Sequence, residues 1–377
     1  MTVSTLVLSG LGFGLAYVNG ANDVSKGIAT LVGSGVTDYQ RAILWGSAWT
    51  AVGAILAAVL AGAMVATFGN GLLAAGTAPT LVAAIATLLG ATLWVLVATR
   101  TGLPVSTTHA IVGSLAGVAA VADGSGGVDW SVLGAKILVP LLASPVVSLA
   151  AVVTLLRARA PGAGSAVEAA DCLCADAEPA VLAFAPGRAM AAMTSGLRLS
   201  LVTGTRETCA VERPRALRLT LDHLHWLTSG ATSFARGMND APKIVALVLA
   251  ASALPGSGTA LPAPALFGLV AAGMFAGSLV AGRRVTHVLA EKVTPMNHRE
   301  GFLANLVTAC LVTTGAALGL PMSTTHVASG GIVGAGAERA SLNRSTLRDM
   351  ALAWAVTLPA SAALGIAAYG VGSWVAS

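Results

Sequence analysis

Apolar positions in this chain fall in long unbroken runs. They show neither the period-two alternation of half-buried strands nor the one-sided stripe of soluble helices. Runs long enough for a bilayer crossing of about 20 residues lie near 2–18, 42–67, 79–98, 104–121 and 131–156. A second set lies near 216–236, 262–282, 300–317, 321–337 and 350–374. The pattern predicts an all-α polytopic membrane protein of about ten spans. Between the sets, 157–215 is polar and holds Arg157, Arg159, Arg188, Arg198, Arg206, Arg213 and Arg215; it reads as a linker with room for a surface helix. The first run lacks a positive leading region and an Ala-x-Ala-like cleavage site, so it reads as a retained span.

Composition agrees. Hydrophobic residues make up 55% of the 377 positions and charged residues 10%, with a mean hydropathy of +0.81. A soluble domain carries about a quarter charged residues. The 44 glycines suit helices that approach closely in lipid. The formal charge of +5 forms no dense basic patch beside aromatics, which argues against a nucleic-acid partner. Of the four cysteines, Cys172, Cys174 and Cys209 lie in the polar segment and Cys310 in an apolar run. A C-x-C pair with Cys209 could hold a metal, but reduced cytoplasmic thiols are the plainer reading, and neither metal nor cofactor is expected.

The two sets of runs are copies. Pro104-Val105-Ser106-Thr107-Thr108-His109 recurs as Pro321-Met322-Ser323-Thr324-Thr325-His326, Asn22-Asp23 as Asn239-Asp240, and Lys26 as Lys243, all displaced by 217. This divides the chain into a first transmembrane repeat (1–156), a cytoplasmic linker (157–215) and a second repeat (216–377). Five spans per copy would turn the second copy upside down. With the linker inside, Arg41, Arg100, the loop holding Arg283, Arg284, Lys292 and Arg299, and Arg339, Arg344 and Arg348 all fall inside as well. The outer loops near 69–78, 122–130, 253–261 and 318–320 then hold no lysine or arginine, and both termini face outward. The Pro104 and Pro321 segments have connections short enough for full spans or re-entrant hairpins. Inverted repeats place a substrate site near the midplane, where helices are broken.

Asn22, Asp23 and Lys26, and again Asn239, Asp240 and Lys243, interrupt apolar runs. A charge at mid-membrane costs roughly 3 kcal/mol or more, so such groups need partners or a watery cavity. They read as a substrate or coupling-ion site, or as a structural Asp–Lys pair. Ser106, Thr107 and Thr108, with Ser323, Thr324 and Thr325, follow prolines at helix starts, where hydroxyls and free N–H groups suit an oxyanion such as phosphate. Plain helix capping is the alternative. Gly113 and Gly330, at matching positions, would let another helix approach. His109 and His326 read as proton carriers or as structural bonds to carbonyls.

At these residues the chain resembles the inorganic phosphate transporter (PiT) family of low-affinity permeases. The resemblance rests on Gly-Ala-Asn-Asp, Val32-Gly33-Ser34-Gly35, the two Pro-x-Ser-Thr-Thr-His segments and Gly-Met-Asn-Asp. It implies a dimeric, cation-coupled phosphate symporter whose site is lined by Asp23, Asp240 and the Ser-Thr-Thr runs. Many members continue Asn-Asp with Val-Ala-Asn-Ala, where this chain has Val-Ser-Lys-Gly and Ala-Pro-Lys-Ile. Two lysines beside two aspartates would leave the site nearly neutral and favour protons as coupling ion. Lysines that snorkel to the surface would leave the aspartates to sodium.

Sulfate as cargo and a passive anion channel are the competing readings. An intramembrane enzyme using Asp23 and Asp240 as a dyad would need a shared proton and leaves the Ser-Thr-Thr repeat unexplained. No Gly-x4-Gly-Lys-Ser/Thr loop is present, so the chain alone is no ATP-driven pump.

Overall fold

The computed structural model describes the chain apart from residues 1, 71, 75, 78, 159–171, 180–196, 206, 208, 210, 212–216, 258–260, 338–340 and 377. Arg159, Arg188, Arg206, Arg213, Arg215 and Arg339, which entered the charge argument, lie outside the described residues. The described chain forms two compact units: Met1–Arg157 with Leu227–Ser377, and Ala158–Trp226.

In the larger unit the first copy supplies α1 (Val3–Asp23), α2 (Ser25–Gly33), α3 (Tyr39–Leu60), α4 (Gly62–Asn70), α5 (Leu81–Thr101), α6 (Thr107–Ala122) and α7 (Val139–Arg157). The second supplies α8 (Leu221–Ser252, part of this unit from Leu227), α9 (Ala263–Ala281), α10 (Arg283–His287), α11 (His298–Ala317), α12 (Thr324–Ala337) and α13 (Arg344–Ala376). Among the described residues seven helical stretches are long and apolar enough to cross a membrane. α8 is not one of them despite its 32 residues, because Arg236, Asp240 and Lys243 stand in its middle. The sequence placed a span at 216–236; the helix instead begins at Leu221 and runs on to Ser252.

The Ser-Thr-Thr helices are short. α6 has 16 residues and α12 has 14, about 24 and 21 Å of rise, against a hydrocarbon core of about 30 Å. Neither helix alone reaches that thickness, and each follows an extended entry. Of the two alternatives for 104–121 and 321–337, full spans or re-entrant hairpins, these helix lengths favour the second, because the first residues of each run are spent on that entry.

α1 breaks at Val24. The Asn22 carbonyl is taken by Ser25 Oγ at 2.8 Å and Lys26 Nζ at 2.9 Å. The same place in α8 is loosened differently: Pro242, in the register of Ser25, has no N–H for the fourth carbonyl before it.

Each copy packs its Asn-Asp helix on the other copy. Gly20 of α1 lies against the backbone of Met274 in α9, and Gly237 of α8 against that of Thr50 in α3. Gly113 of α6 meets Leu358 of α13, and Gly330 of α12 meets Pro145 of α7, both at backbone. Any Cβ there would strike a carbonyl, so these glycines set the helix separations. The polarity is inside out: Val59, Leu142 and Val146 are 83%, 69% and 66% exposed, whereas Lys26, Arg236 and Lys243 are 1%, 0% and 1% exposed. Apolar outside and charged inside is the distribution that lipid, not water, selects.

The smaller unit corrects the all-α expectation. Three strands, β1 (Cys172–Pro179), β2 (Leu197–Gly204) and β3 (Leu217–Thr220), form an antiparallel sheet in the order β2-β1-β3. Leu217-Arg218-Leu219-Thr220 does alternate with period two, a strand signal too short to notice in a polar segment. Cys174 is bonded to Cys209 across a Cα separation of 6.0 Å, in place of the reduced thiols expected; Cys172 is free and buried beside them.

Candidate functional site

Both Asn-Asp-x-x-Lys segments and both Ser-Thr-Thr helix starts meet in one buried cluster. Asn22, Asp23, Lys26, Ser106, Thr107, Thr108, His109, Asn239, Asp240, Lys243, Ser323, Thr324, Thr325 and His326 are each no more than 4% exposed.

Each asparagine ties its own copy's entry segment. Asn22 Nδ2 donates to Leu103 O at 3.0 Å and Thr99 Oγ1 at 3.2 Å, while its Oδ1 accepts from Val105 N at 3.2 Å. Asn239 Nδ2 donates to Met322 O, in the register of Val105, at 3.0 Å and to Asp240 Oδ1 at 2.8 Å. The lysines turn inward. Lys26 Nζ donates to Asp23 Oδ1 at 2.5 Å and Asn22 Oδ1 at 2.8 Å. Lys243 Nζ donates to Asp240 Oδ1 at 3.1 Å and, across the copies, to Thr108 Oγ1 at 2.8 Å. Helical i,i+3 spacing brings each ammonium onto its aspartate. The snorkelling alternative is therefore set aside.

The helix starts also meet. Thr325 Oγ1 donates to Val105 O at 2.7 Å. Ser106 and Ser323 accept from the N–H of His109 and His326 at 3.3 and 3.2 Å, so both serines are N-caps. The imidazoles of His109 and His326 face each other at 4.8 Å, with Trp354 4.1 Å from His326. Ser323 Oγ shares a hydrogen with His326 Nδ1 at 2.6 Å, whereas His109 Nδ1 is buried without a partner.

Two central residues escaped the sequence reading. Asn19 Nδ2 lies 3.0 Å from Asp23 Oδ2, 3.2 Å from Asp240 Oδ2 and 3.1 Å from Thr107 Oγ1, so one amide bridges both carboxylates. That amide between lysine-paired carboxylates is not the shared-proton dyad an intramembrane acid protease needs. Arg236 is fully buried on α8, one turn before Asp240. Both stood in the register that linked the motifs, 236 − 19 = 217, and that spacing was the signal that could have found them.

The amide oxygens of Asn19 and Asn239 are buried and unpaired, which leaves the cluster two acceptors in want of a donor or a cation. A cavity of about 410 Å³ is lined by Phe68, Leu72, Leu115, Leu247 and Leu254. Phe68, only 2% exposed, also lies 6.0 Å from Lys243 Nζ.

The chain is similar to known proteins over most of its length. The "Inorganic phosphate transporter 2-1, chloroplastic" of Arabidopsis thaliana is 29% identical, covering 94% of this chain and 70% of its own. A "Probable low-affinity inorganic phosphate transporter" of Rhizobium meliloti is 27% identical, covering 94% of this chain and 92% of its own. A solved structure named "The sodium-dependent phosphate transporter" superposes with a TM-score of 0.76 at 23% identity, over 99% of this chain and 100% of its own, which establishes a common fold. The sequence profile of the Phosphate transporter family matches residues 19–365, and the chain belongs to that family.

Proposed function

We propose that this chain is a low-affinity secondary transporter that carries inorganic phosphate across the cell membrane by symport with protons. The observation that carries the reading is the meeting of both Ser-Thr-Thr helix starts with both Asp–Lys pairs in one buried cluster. Helix starts and ammonium groups supply positive potential for an oxyanion. Asp23, Asp240 and the unpaired oxygens of Asn19 and Asn239 supply acceptors. Phosphate near neutral pH still carries hydroxyl protons and can donate to them; sulfate cannot. A site that leaves acceptors unpaired rejects the ligand lacking the donor.

Charge favours the proton. Lys26, Arg236 and Lys243 against Asp23 and Asp240 give a formal 3 − 2 = +1. Monobasic phosphate brings this to zero, and a bound sodium ion would raise it again. Protons then arrive on the anion, as its monobasic form, because a proton taken up by an aspartate would raise the charge as sodium does. Sodium is the second reading, favoured by the unpaired amide oxygens as cation ligands and by the sodium dependence in the structural neighbour's name.

The two copies are proposed as inverted repeats in a homodimer, with both termini outside and the linker in the cytoplasm. A cysteine placed at exposed Pro255 should react with an impermeant reagent from outside. Protection of that position in intact cells turns the topology over. The substrate is tested by uptake of labelled phosphate with competing arsenate and sulfate: arsenate should compete, sulfate should not. Strong sulfate competition would replace phosphate with the wider class of oxyanions.

A further inference from the structure

Among the described residues Arg236 is the largest side chain that is fully buried, and its Nε, Nη1 and Nη2 have no hydrogen-bond partner. A guanidinium carries five N–H donors and stays charged at any working pH. Burying one unpaired is among the costlier arrangements a protein can hold. The carboxylates whose charge it feels are Asp23 and Asp240. Both are already engaged: Asp23 by Lys26 and Asn19, Asp240 by Lys243, Asn239 and Asn19. The guanidinium is a surplus cation beside carboxylates that already have partners.

Its counterpart shows what it is not for. Asn19, at the same register in the first copy, spends its amide holding Asp23, Asp240 and Thr107 together. Arg236 makes none of these bonds, and Thr324 stands where Thr107 does. The second copy has the same slot without the lock.

We propose that Arg236 is the anchor of the transported anion, its planar fork taking two oxygens of one tetrahedral oxyanion beside Thr324. A side-on guanidinium suits two oxygens of one phosphorus centre in a way that a point-charge ammonium does not. The first copy then locks the site while the second holds the cargo. This rests on reading the cluster as an oxyanion site.

The test is thermal melting of the purified full-length protein, titrated with inorganic phosphate, and in parallel with arsenate and sulfate. Phosphate should raise the wild-type melting temperature, as any ligand of the native state does. Ligand-free Arg236→Gln should melt no lower than wild type, because the surplus charge is gone. Its phosphate midpoint should rise about 10- to 150-fold, the worth of a lost charge-assisted bond. Arg236→Lys should shift the midpoint in the same direction, since it keeps the charge and loses the fork. A wild-type midpoint in either folded variant, or ligand-free destabilisation in both, overturns the proposal and makes Arg236 structural. Stabilisation of wild type by sulfate and not phosphate, lost in both variants, removes phosphate as cargo and keeps Arg236 as the anchor.

Discussion

In the first copy, Asn19, Asp23 and Thr107 close on one another, with Lys26 spending its bonds on Asp23 and Asn22. In the second, Arg236, Asp240 and Thr324 occupy the same register, but the arginine is unpaired and Lys243 reaches across to Thr108 of the other copy. Positions matched 217 residues apart thus carry unequal sets of bonds. On the proposed reading the second half keeps its guanidinium donors for the anion, and buried donors left free are stabilised only when a ligand supplies acceptors.

The largest effect should come from the aspartates. Asp23→Asn and Asp240→Asn each strand a buried ammonium, at a cost of about 3–5 kcal/mol, and should abolish uptake. Melting curves and flux on the same preparations check this. The double variant Asp23→Asn/Lys26→Met should recover stability and not uptake. Recovered uptake would assign the pair a purely structural duty.

Valine at the matched threonines sharpens the comparison. Thr324→Val should weaken apparent phosphate affinity about 10-fold or more, while Thr107→Val should mainly loosen Asn19 and Asp23 and lower the melting temperature. Equal affinity losses from the two would make the halves equivalent after all. Gly113→Ala and Gly330→Ala push a methyl into the carbonyls of Leu358 and Pro145 and should each cost about 1–3 kcal/mol. Smallest is Thr325→Val, which removes one bond to the Val105 carbonyl, about 1 kcal/mol, readable as a shift in denaturation midpoint.

Much of the site was legible in the chain because membrane interiors make polar residues conspicuous. Asp23 and Lys26 repeated at Asp240 and Lys243 announce a shared task, and helical spacing alone pairs them. Asn19 was passed over because one amide in an apolar run is unremarked until its partners are known. Arg236 was hidden among charges near a helix whose length was misjudged. Hydropathy could not separate full from partial spans at α6 and α12, because it counts apolar residues and not the extended entry that uses them up. The sheet and the Cys174–Cys209 bond depend on tertiary pairing of short segments, which no local pattern encodes.

The fixed positive charge proposed for the site should let protons replace sodium. Phosphate uptake into proteoliposomes prepared without sodium, with an acid exterior imposed at zero membrane potential, decides between the two ions. Concentrative uptake that rises with the pH gradient and collapses with a protonophore is the predicted result. Uptake that stays absent until sodium is added, and then proceeds without a pH gradient, would contradict it.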